Sequence, residues 1–276
     1  MPQARRRHDA RMTQYWPFTG LLRHGALRER LIVSLDMADR RQALALVDRL
    51  ARMVGMFRVG RGLFVGGGTD LIREIRARGA EVFLDLRFHD TPPKVLRAAM
   101  EATRLGVRMF DLHPYGSIEL MSRVRIEIAR LCRNEGLRRP QILAVAMLAG
   151  VDSALTNRKT TPAADGVLEL AKAAADSSLD GVYTGAHEVA RVRAACGRRF
   201  IIVTTGVQLR DGLKPGPRCV TAADAIRAGA DYIVAGGALW RGAEPARTVR
   251  EITESMERGL RASPRVGLEL ISSRPL

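Results

Sequence analysis

The residues best placed for chemistry lie in one stretch, Val82-Phe83-Leu84-Asp85-Leu86-Arg87-Phe88-His89-Asp90-Thr91-Pro92-Pro93. An apolar run from Val82 to Leu86 ends in charged and polar side chains, and a proline pair then opens a helix. A buried parallel strand delivers chemistry in this way, at its carboxyl end. Asp85 and Arg87 are two residues apart and point to the same side of the strand, while Asp90 lies just past it. Carboxylates and a guanidinium so placed suit an anionic substrate and the stabilisation of developing charge. The plainer reading of the stretch alone is a structural ion pair at a strand end.

Periodicity supplies the elements that position these residues. Leu31-Ile32-Val33-Ser34-Leu35-Asp36 is an apolar run ending in a carboxylate, followed by Ala43, Leu46, Val47, Leu50 and Val54 at helical spacing. Met56-Phe57-Arg58-Val59-Gly60 reads as a second strand. A glycine-rich turn, Gly66-Gly67-Gly68-Thr69, precedes a helix over 70–78, with Thr69 as its N-cap. The opening stretch is the third strand, with a helix over 93–105 after it. Strands over 107–113, 141–148, 179–184, 200–204 and 231–236 then alternate with helices over 117–134, 164–177, 186–195, 221–228 and 244–259.

Strand–helix alternation of this kind demands a parallel sheet with right-handed crossovers. Eight units in 276 residues argue for a closed (β/α)8 TIM barrel, a single domain over 29–262, flanked by a basic N-terminal arm over 1–28 and a C-terminal tail over 263–276. The carboxyl ends of the strands would then gather Asp36, Arg58, Asp85, Arg87, Asp90, His113, Gly150, Thr184, Thr205, Gln208, Gly236 and Gly237.

The composition is ordinary except in charge. Lys and Arg number 45 against 29 Asp and Glu, a formal net charge of +16. Nucleic acid, an anionic surface or a small anionic substrate all suit such a balance, and arginine enrichment without function suits it equally. Aromatics at 5% weaken the case for base stacking, so nucleic acid is not the expected partner. Arg5-Arg6-Arg7, Arg11, Arg23 and Arg28 make the arm basic; the expected reading is an arm whose apolar patch, Tyr15-Trp16-Pro17-Phe18, docks on the barrel, and the alternative is an anion tether. Cys132, Cys196 and Cys219 are widely separated, with no metal-ligand spacing, which reads as free thiols in a reducing cytoplasm. No apolar run approaches 18 residues, so no membrane helix is expected.

Across roughly residues 31–260 the chain resembles the orotidine 5′-phosphate decarboxylase family. The fragments that carry the resemblance are Leu35-Asp36, Phe57-Arg58-Val59-Gly60, Phe83-Leu84-Asp85-Leu86-Arg87-Phe88-His89-Asp90, Leu179-Asp180-Gly181-Val182 and Ala228-Gly229-Ala230-Asp231-Tyr232-Ile233-Val234. The resemblance implies a carboxy-lyase that needs no metal or organic cofactor. It also implies a homodimer with sites at the subunit interface, in which Asp90 reaches into the partner's site. The family reaction leaves a carbanion on a pyrimidine ring. A fixed ammonium stabilises that charge and then supplies the proton.

The departures from the family pattern cluster at the site. The catalytic lysine of the central motif is Arg87 and the second-strand lysine is Arg58. The threonine after the Pro-Asn pair is Lys94, with Pro93 for that asparagine. The serine contacting the pyrimidine is Gly150, the strand-seven Pro-Gly-Ile-Arg is Thr205-Gly206-Val207-Gln208, and the phosphate-binding arginine aligns with Gly237. The glutamine of the phosphate loop falls near Gly216. Asp36, Asp85, Asp90 and His113 are retained. Arginine keeps the positive charge but gives up no proton near neutral pH, so water or another acid must protonate the carbanion. Lys94, four residues past Asp90 and on the same helix face, is one candidate; a solvated first-turn lysine is the plainer reading. Losing an arginine from a phosphate forfeits roughly 1.5–3 kcal/mol, and the backbone N–H groups of Gly236-Gly237 would compensate in part.

The resulting expectation is a decarboxylase-like carboxy-lyase acting on a nucleotide or similar anionic substrate. Asp85, Arg87 and Asp90 are its catalytic residues, and Asp36, Arg58, Lys94, His113, Gln208, Gly236 and Gly237 bind the substrate. The alternative is a diverged, non-decarboxylating or non-catalytic relative that binds a different ligand or partner.

Overall fold

The computed structural model describes residues 27–114, 117–146, 163–208, 220–236, 239 and 244–262. Eight parallel strands close into a barrel. In barrel order they are β1 (Leu31–Leu35), β2 (Met56–Gly60), β3 (Glu81–Phe88), β4 (Met109–Leu112), β5 (Gln141–Ala146), β6 (Gly181–Gly185), β7 (Ile201–Thr205) and β10 (Tyr232–Ala235), which returns to β1. Between β7 and β10 in sequence, the two-residue strands β8 (Val207–Gln208) and β9 (Val220–Thr221) form a separate small parallel ladder. The helices are α1 (Arg40–Leu50), α2 (Arg61–Ala77), α3 (Pro92–Arg104), α4 (Ile118–Glu135), α5 (Ala163–Asp176), α6 (Val189–Cys196), α7 (Ala222–Ala228) and α8 (Pro245–Arg261). The TIM-barrel expectation therefore holds. The arm before Leu27 and the tail after Ala262 lie outside the described residues.

The strand period of two divides the core into two layers. Ile32, Met56, Phe83, Met109, Leu143, Tyr183, Val203, Tyr232 and Val234 fill the barrel interior. The alternate residues, such as Leu31, Val33, Phe57, Leu84 and Phe110, pack outward under the helices with Leu46, Leu71, Val95 and Val124. Two residues further along β1 to β4, the same inward phase falls on Ser34, Arg58, Asp85 and Asp111, so a polar layer sits directly above an apolar one. That switch from apolar to polar is the physical origin of the site.

The largest departure from the periodicity reading is at α2. The span Arg61–Ala77 is two helical segments meeting at a kink: one from Arg61, capped by Gly60, that the periodicity does not show, and one after Gly68 that corresponds to the expected helix over 70–78. The glycine run breaks the helix from within: Gly68 adopts φ 59°, ψ −162°, a conformation that a side chain would strain. The expected helix over 186–195 is a 3-10 turn, Ala186–Glu188, leading into α6. Gly181 opens β6 for a packing reason, because a Cβ there would lie 2.1 Å from the carbonyl oxygen of Ile201 on β7.

Candidate active site

Arg58 is the hub of the polar layer. Its Nε donates to Asp85 Oδ2 at 2.6 Å and its Nη2 pairs with the same oxygen at 2.5 Å, while Nη1 donates to Asp36 Oδ1 at 2.9 Å and also to Ser34 Oγ. Arg87 Nε donates to the other Asp85 oxygen, Oδ1, at 3.2 Å. The four charges alternate in sign along Asp36, Arg58, Asp85 and Arg87. Exposure grades outward, from 1% for the Asp85 side chain through 16% for Arg58 and 30% for Arg87 to 43% for Asp36. The buried member is thus held between two cations, and the outer members face the barrel mouth.

Beneath Arg87 lies Asp111, fully buried on β4. Its Oδ1 accepts the Arg87 backbone N–H at 2.8 Å. That bond stands where the β3–β4 ladder is interrupted, between Leu84 and Phe88. Arg87 itself has φ 52°, a left-handed conformation that costs a non-glycine residue about 1–3 kcal/mol and is typical of functional sites. The Asp111 carboxylate therefore helps to hold Arg87 in a strained backbone state.

Burial, then the Asp85 charge and a hydrogen bond to it, push Asp111 well above the usual carboxylate range. Burial also opposes charge on Asp85, but the hydrogen bond from Asp111 and the guanidinium groups of Arg58 and Arg87 hold its value below that range. Asp111 Oδ2 has no donor among the described groups, yet the two carboxyls are within hydrogen-bonding reach. A proton shared between the two carboxyls would account for both facts. For Arg58, burial is outweighed by Tyr183, Asp85 and Asp36, and its affinity for the proton rises. Tyr183, a buried interior residue that hydrogen-bonds Thr205, is pushed up to about 12 by burial.

The other expected site residues divide into three groups. Gly236 adjoins the array: a Cβ on it would meet Asp36 Oδ2 at 3.9 Å. His113, just past β4, lies against His89 with ring centroids 4.9 Å apart, and burial, His89 and Arg87 lower its pKa, so the imidazole is neutral at pH 7. Gln208 is half-buried on β8. Asp90 and Lys94 stand apart from the array. Asp90 accepts the Thr91 N–H at 2.6 Å and pairs with Lys94 at 3.2 Å on the exposed start of α3. Lys94 is exposed in the first turn of α3. Gly150, Gly216 and Gly237 lie outside the described residues. Thr184 turns its hydroxyl to the Ala146 carbonyl at 2.8 Å, a bond within the barrel wall.

Ser34, Asp111 and Tyr183 are members of the site that the sequence reading does not single out. The signal for Ser34 and Asp111 is the strand phase, since each lies two residues beyond an interior apolar side chain. Among the described residues no group of three His, Cys, Asp or Glu side chains is placed to hold a metal ion.

Fold and site together define a parallel (β/α)8 barrel with an array of paired carboxylates and guanidinium groups at the strand tips. The comparisons with known proteins identify which such family this is. Residues 29–252 match the family described as Orotidine 5′-phosphate decarboxylase / HUMPS family. The chain is 36% identical over 239 residues to an orotidine 5′-phosphate decarboxylase of Syntrophus aciditrophicus, covering 85% of this chain and 95% of that one. It is 38% identical over 237 residues to another such protein, of Syntrophotalea carbinolica, covering 84% and 97%. A crystal structure of orotidine 5′-phosphate decarboxylase from Lactobacillus acidophilus superposes with a TM-score of 0.72 at 27% identity, covering 82% of this chain and 98% of that one. The chain belongs to the orotidine 5′-phosphate decarboxylase / HUMPS family.

Proposed function

We propose that the barrel mouth is a cofactor-free carboxy-lyase centre for orotidine 5′-phosphate or a similar carboxylated nucleotide, which would place the chain in pyrimidine biosynthesis. The observation that carries this reading is the ion-paired chain Arg58–Asp85–Arg87, which fixes one buried carboxylate between two cations at the strand tips. The substrate's own carboxylate, set near Asp85, would meet like charge in the ground state. Loss of carbon dioxide removes that repulsion. The electron pair left on the ring then lies within the field of Arg87, whose position the polar layer has already fixed. The covered floor of the site strengthens each of these interactions by excluding water.

The same reading makes the protein a cytoplasmic homodimer in which Asp90 serves the neighbouring subunit's site. Support comes from family membership and from the position of Asp90, which is exposed at the start of α3 and bonded there to Thr91 and Lys94 rather than to its own array. Among the described residues no helix is long and apolar enough to cross a membrane.

Carbon dioxide release from orotidine 5′-phosphate by the purified full chain tests the function. The expected result is slow turnover in the parent and a rise of at least about tenfold in Arg87→Lys, because lysine restores a transferable proton to the same place. No turnover by either protein, with no binding of uridine 5′-phosphate, would falsify the reading. For the dimer, mixing Asp85→Asn with Asp90→Asn should regain activity that neither has alone; no regain from co-assembled subunits removes Asp90 from the partner's site.

A further inference from the structure

The proposed reaction has an unmet requirement. One carbon–carbon bond breaks, carbon dioxide leaves, and the ring carbon keeps the electron pair and must take up a proton. Arginine occupies the place of the proton-giving group, and a guanidinium does not release its proton near neutral pH. Lys94 is bonded to Asp90 on the exposed start of α3 and has no contact with the array of its own subunit. A donor built into the array itself needs no lysine carried across the subunit interface with Asp90.

We propose that the Asp85–Asp111 carboxyl pair is the acid: the single proton the pair shares moves from Asp111 onto Asp85 and from Asp85 to the ring carbon, leaving both carboxylates charged. This rests on the decarboxylase reading and names the proton source that reading lacks. The geometry is specific. Asp111 is 0% exposed, one oxygen is fixed by the Arg87 N–H at 2.8 Å, and the other has no donor besides what Asp85 shares with it. Two facing carboxylates in so buried a place keep a proton between them. Asp85 is also the only one of the two in contact with both guanidinium groups, through Oδ2 to Arg58 and Oδ1 to Arg87.

The charges around the pair favour delivery at the right moment. Arg58 faces it from β2, Arg87 from β3 and Tyr183 from β6. While the substrate carboxylate is present, its negative charge holds the proton on the pair. Once carbon dioxide has gone, the carbanion is the stronger base and draws the proton past the Arg87 side chain. The pair is left with two negative charges between two arginines, a state those cations make tolerable until solvent returns one proton. The overall step is balanced: carboxylate plus one proton gives carbon dioxide and a carbon–hydrogen bond. Asp85 is the catalytic residue and Asp111 a proton store acting through it.

Asp111→Asn separates the store from its structural role. Asparagine keeps an oxygen to accept the Arg87 N–H and an amide to donate to Asp85, but it holds no transferable proton. In the full-length protein at neutral pH, infrared spectroscopy should show the carbonyl stretch of a neutral carboxyl that disappears in Asp111→Asn. With orotidine 5′-phosphate, Asp111→Asn should lose at least about 100-fold in kcat with KM changed less than about threefold, the share expected of a lost general acid. Adding Arg87→Lys to Asp111→Asn should restore turnover, because the lysine brings its own proton.

A missing infrared band, an unchanged kcat in Asp111→Asn, or no rescue by Arg87→Lys each overturns the proposal. A parent protein that shows the band and binds uridine 5′-phosphate but never releases carbon dioxide overturns the decarboxylase reading, and with it the delivery step.

Discussion

Both ends of the barrel bury aspartate–arginine contacts, and the two ends complete them differently. At the amino end, Asp231 accepts the Ile202 N–H at 2.8 Å and pairs with Arg193 at 2.5 Å. The remaining Arg193 donors go to the carbonyls of Gly197, Phe200 and Gly229. Asp180 repeats the device between β5 and β6, taking the Ile142 N–H at 2.8 Å and Arg139 at 2.9 Å. In each case an aspartate just before one strand ties down the N–H of its neighbour, and the partners are largely backbone. These pairs are closed and stitch the barrel together.

At the carboxyl end, Asp85, Arg58 and Asp36 bind one another's side chains. Asp111 keeps an oxygen without a donor besides Asp85, and Arg87 sits at positive φ. That end keeps strain and an unpartnered buried oxygen that a purely structural network would have relieved. The same two residue types therefore serve stability where they bond the backbone and chemistry where they bond each other.

The largest effect that would break this contrast lies at the mouth. Asp85→Asn should lower kcat/KM for orotidine 5′-phosphate by about 10³-fold or more, about 4 kcal/mol of transition-state stabilisation, in a protein that still folds. Steady-state kinetics beside circular dichroism checks it, and an active variant would make the array structural.

Next in size is the amino end. Arg193→Ala should cost about 2–3 kcal/mol in denaturant unfolding, less than the ~3–5 kcal/mol of a fully buried pair, because Asp231 remains partly exposed. Affinity for uridine 5′-phosphate should stay within about twofold; a large loss would mean that the two ends are coupled.

A smaller effect sharpens the comparison through pH. The folded-state value of Asp111 is raised, so its contribution to stability is complete below the ordinary carboxylate value and fades as pH rises above about 4. Asp85 is lowered and works in the opposite sense, losing its contribution as pH falls below that range. Urea midpoints measured from acid to neutral pH should fall more steeply with rising pH in the parent than in Asp111→Asn. Parallel curves would remove the shared proton. Smallest of all, Glu135→Gln breaks the exposed pair with Arg104, 2.7 Å apart, and should leave the unfolding midpoint unchanged, since water screens such pairs.

Much of this molecule is legible in the sequence. Strand and helix periods located all eight barrel strands within a few residues, and Asp36, Arg58, Asp85 and Arg87 were named from their places at strand ends. The first segment of α2, from Arg61 up to the kink, is hidden because Gly66-Gly67-Gly68 reads as a turn, whereas only Gly68 leaves helical geometry and separates that segment from the expected helix over 70–78. Asp111 was hidden for another reason. It lies inside an apolar run, Met109-Phe110-Asp111-Leu112, where a single acid reads as a strand residue.

The sequence alone determined the inward phase of each strand, because alternation is local and follows from the pleat. It therefore dictated that Ser34, Arg58, Asp85 and Asp111 would all face the barrel axis. Only the tertiary structure decided which of them touch. Closure and stagger of the strands set Asp111 of β4 beneath Arg87 of β3, across a ladder broken between Leu84 and Phe88. That contact depends on the relative height of two strands, a quantity carried by the whole ring of hydrogen bonds and by no single stretch of chain.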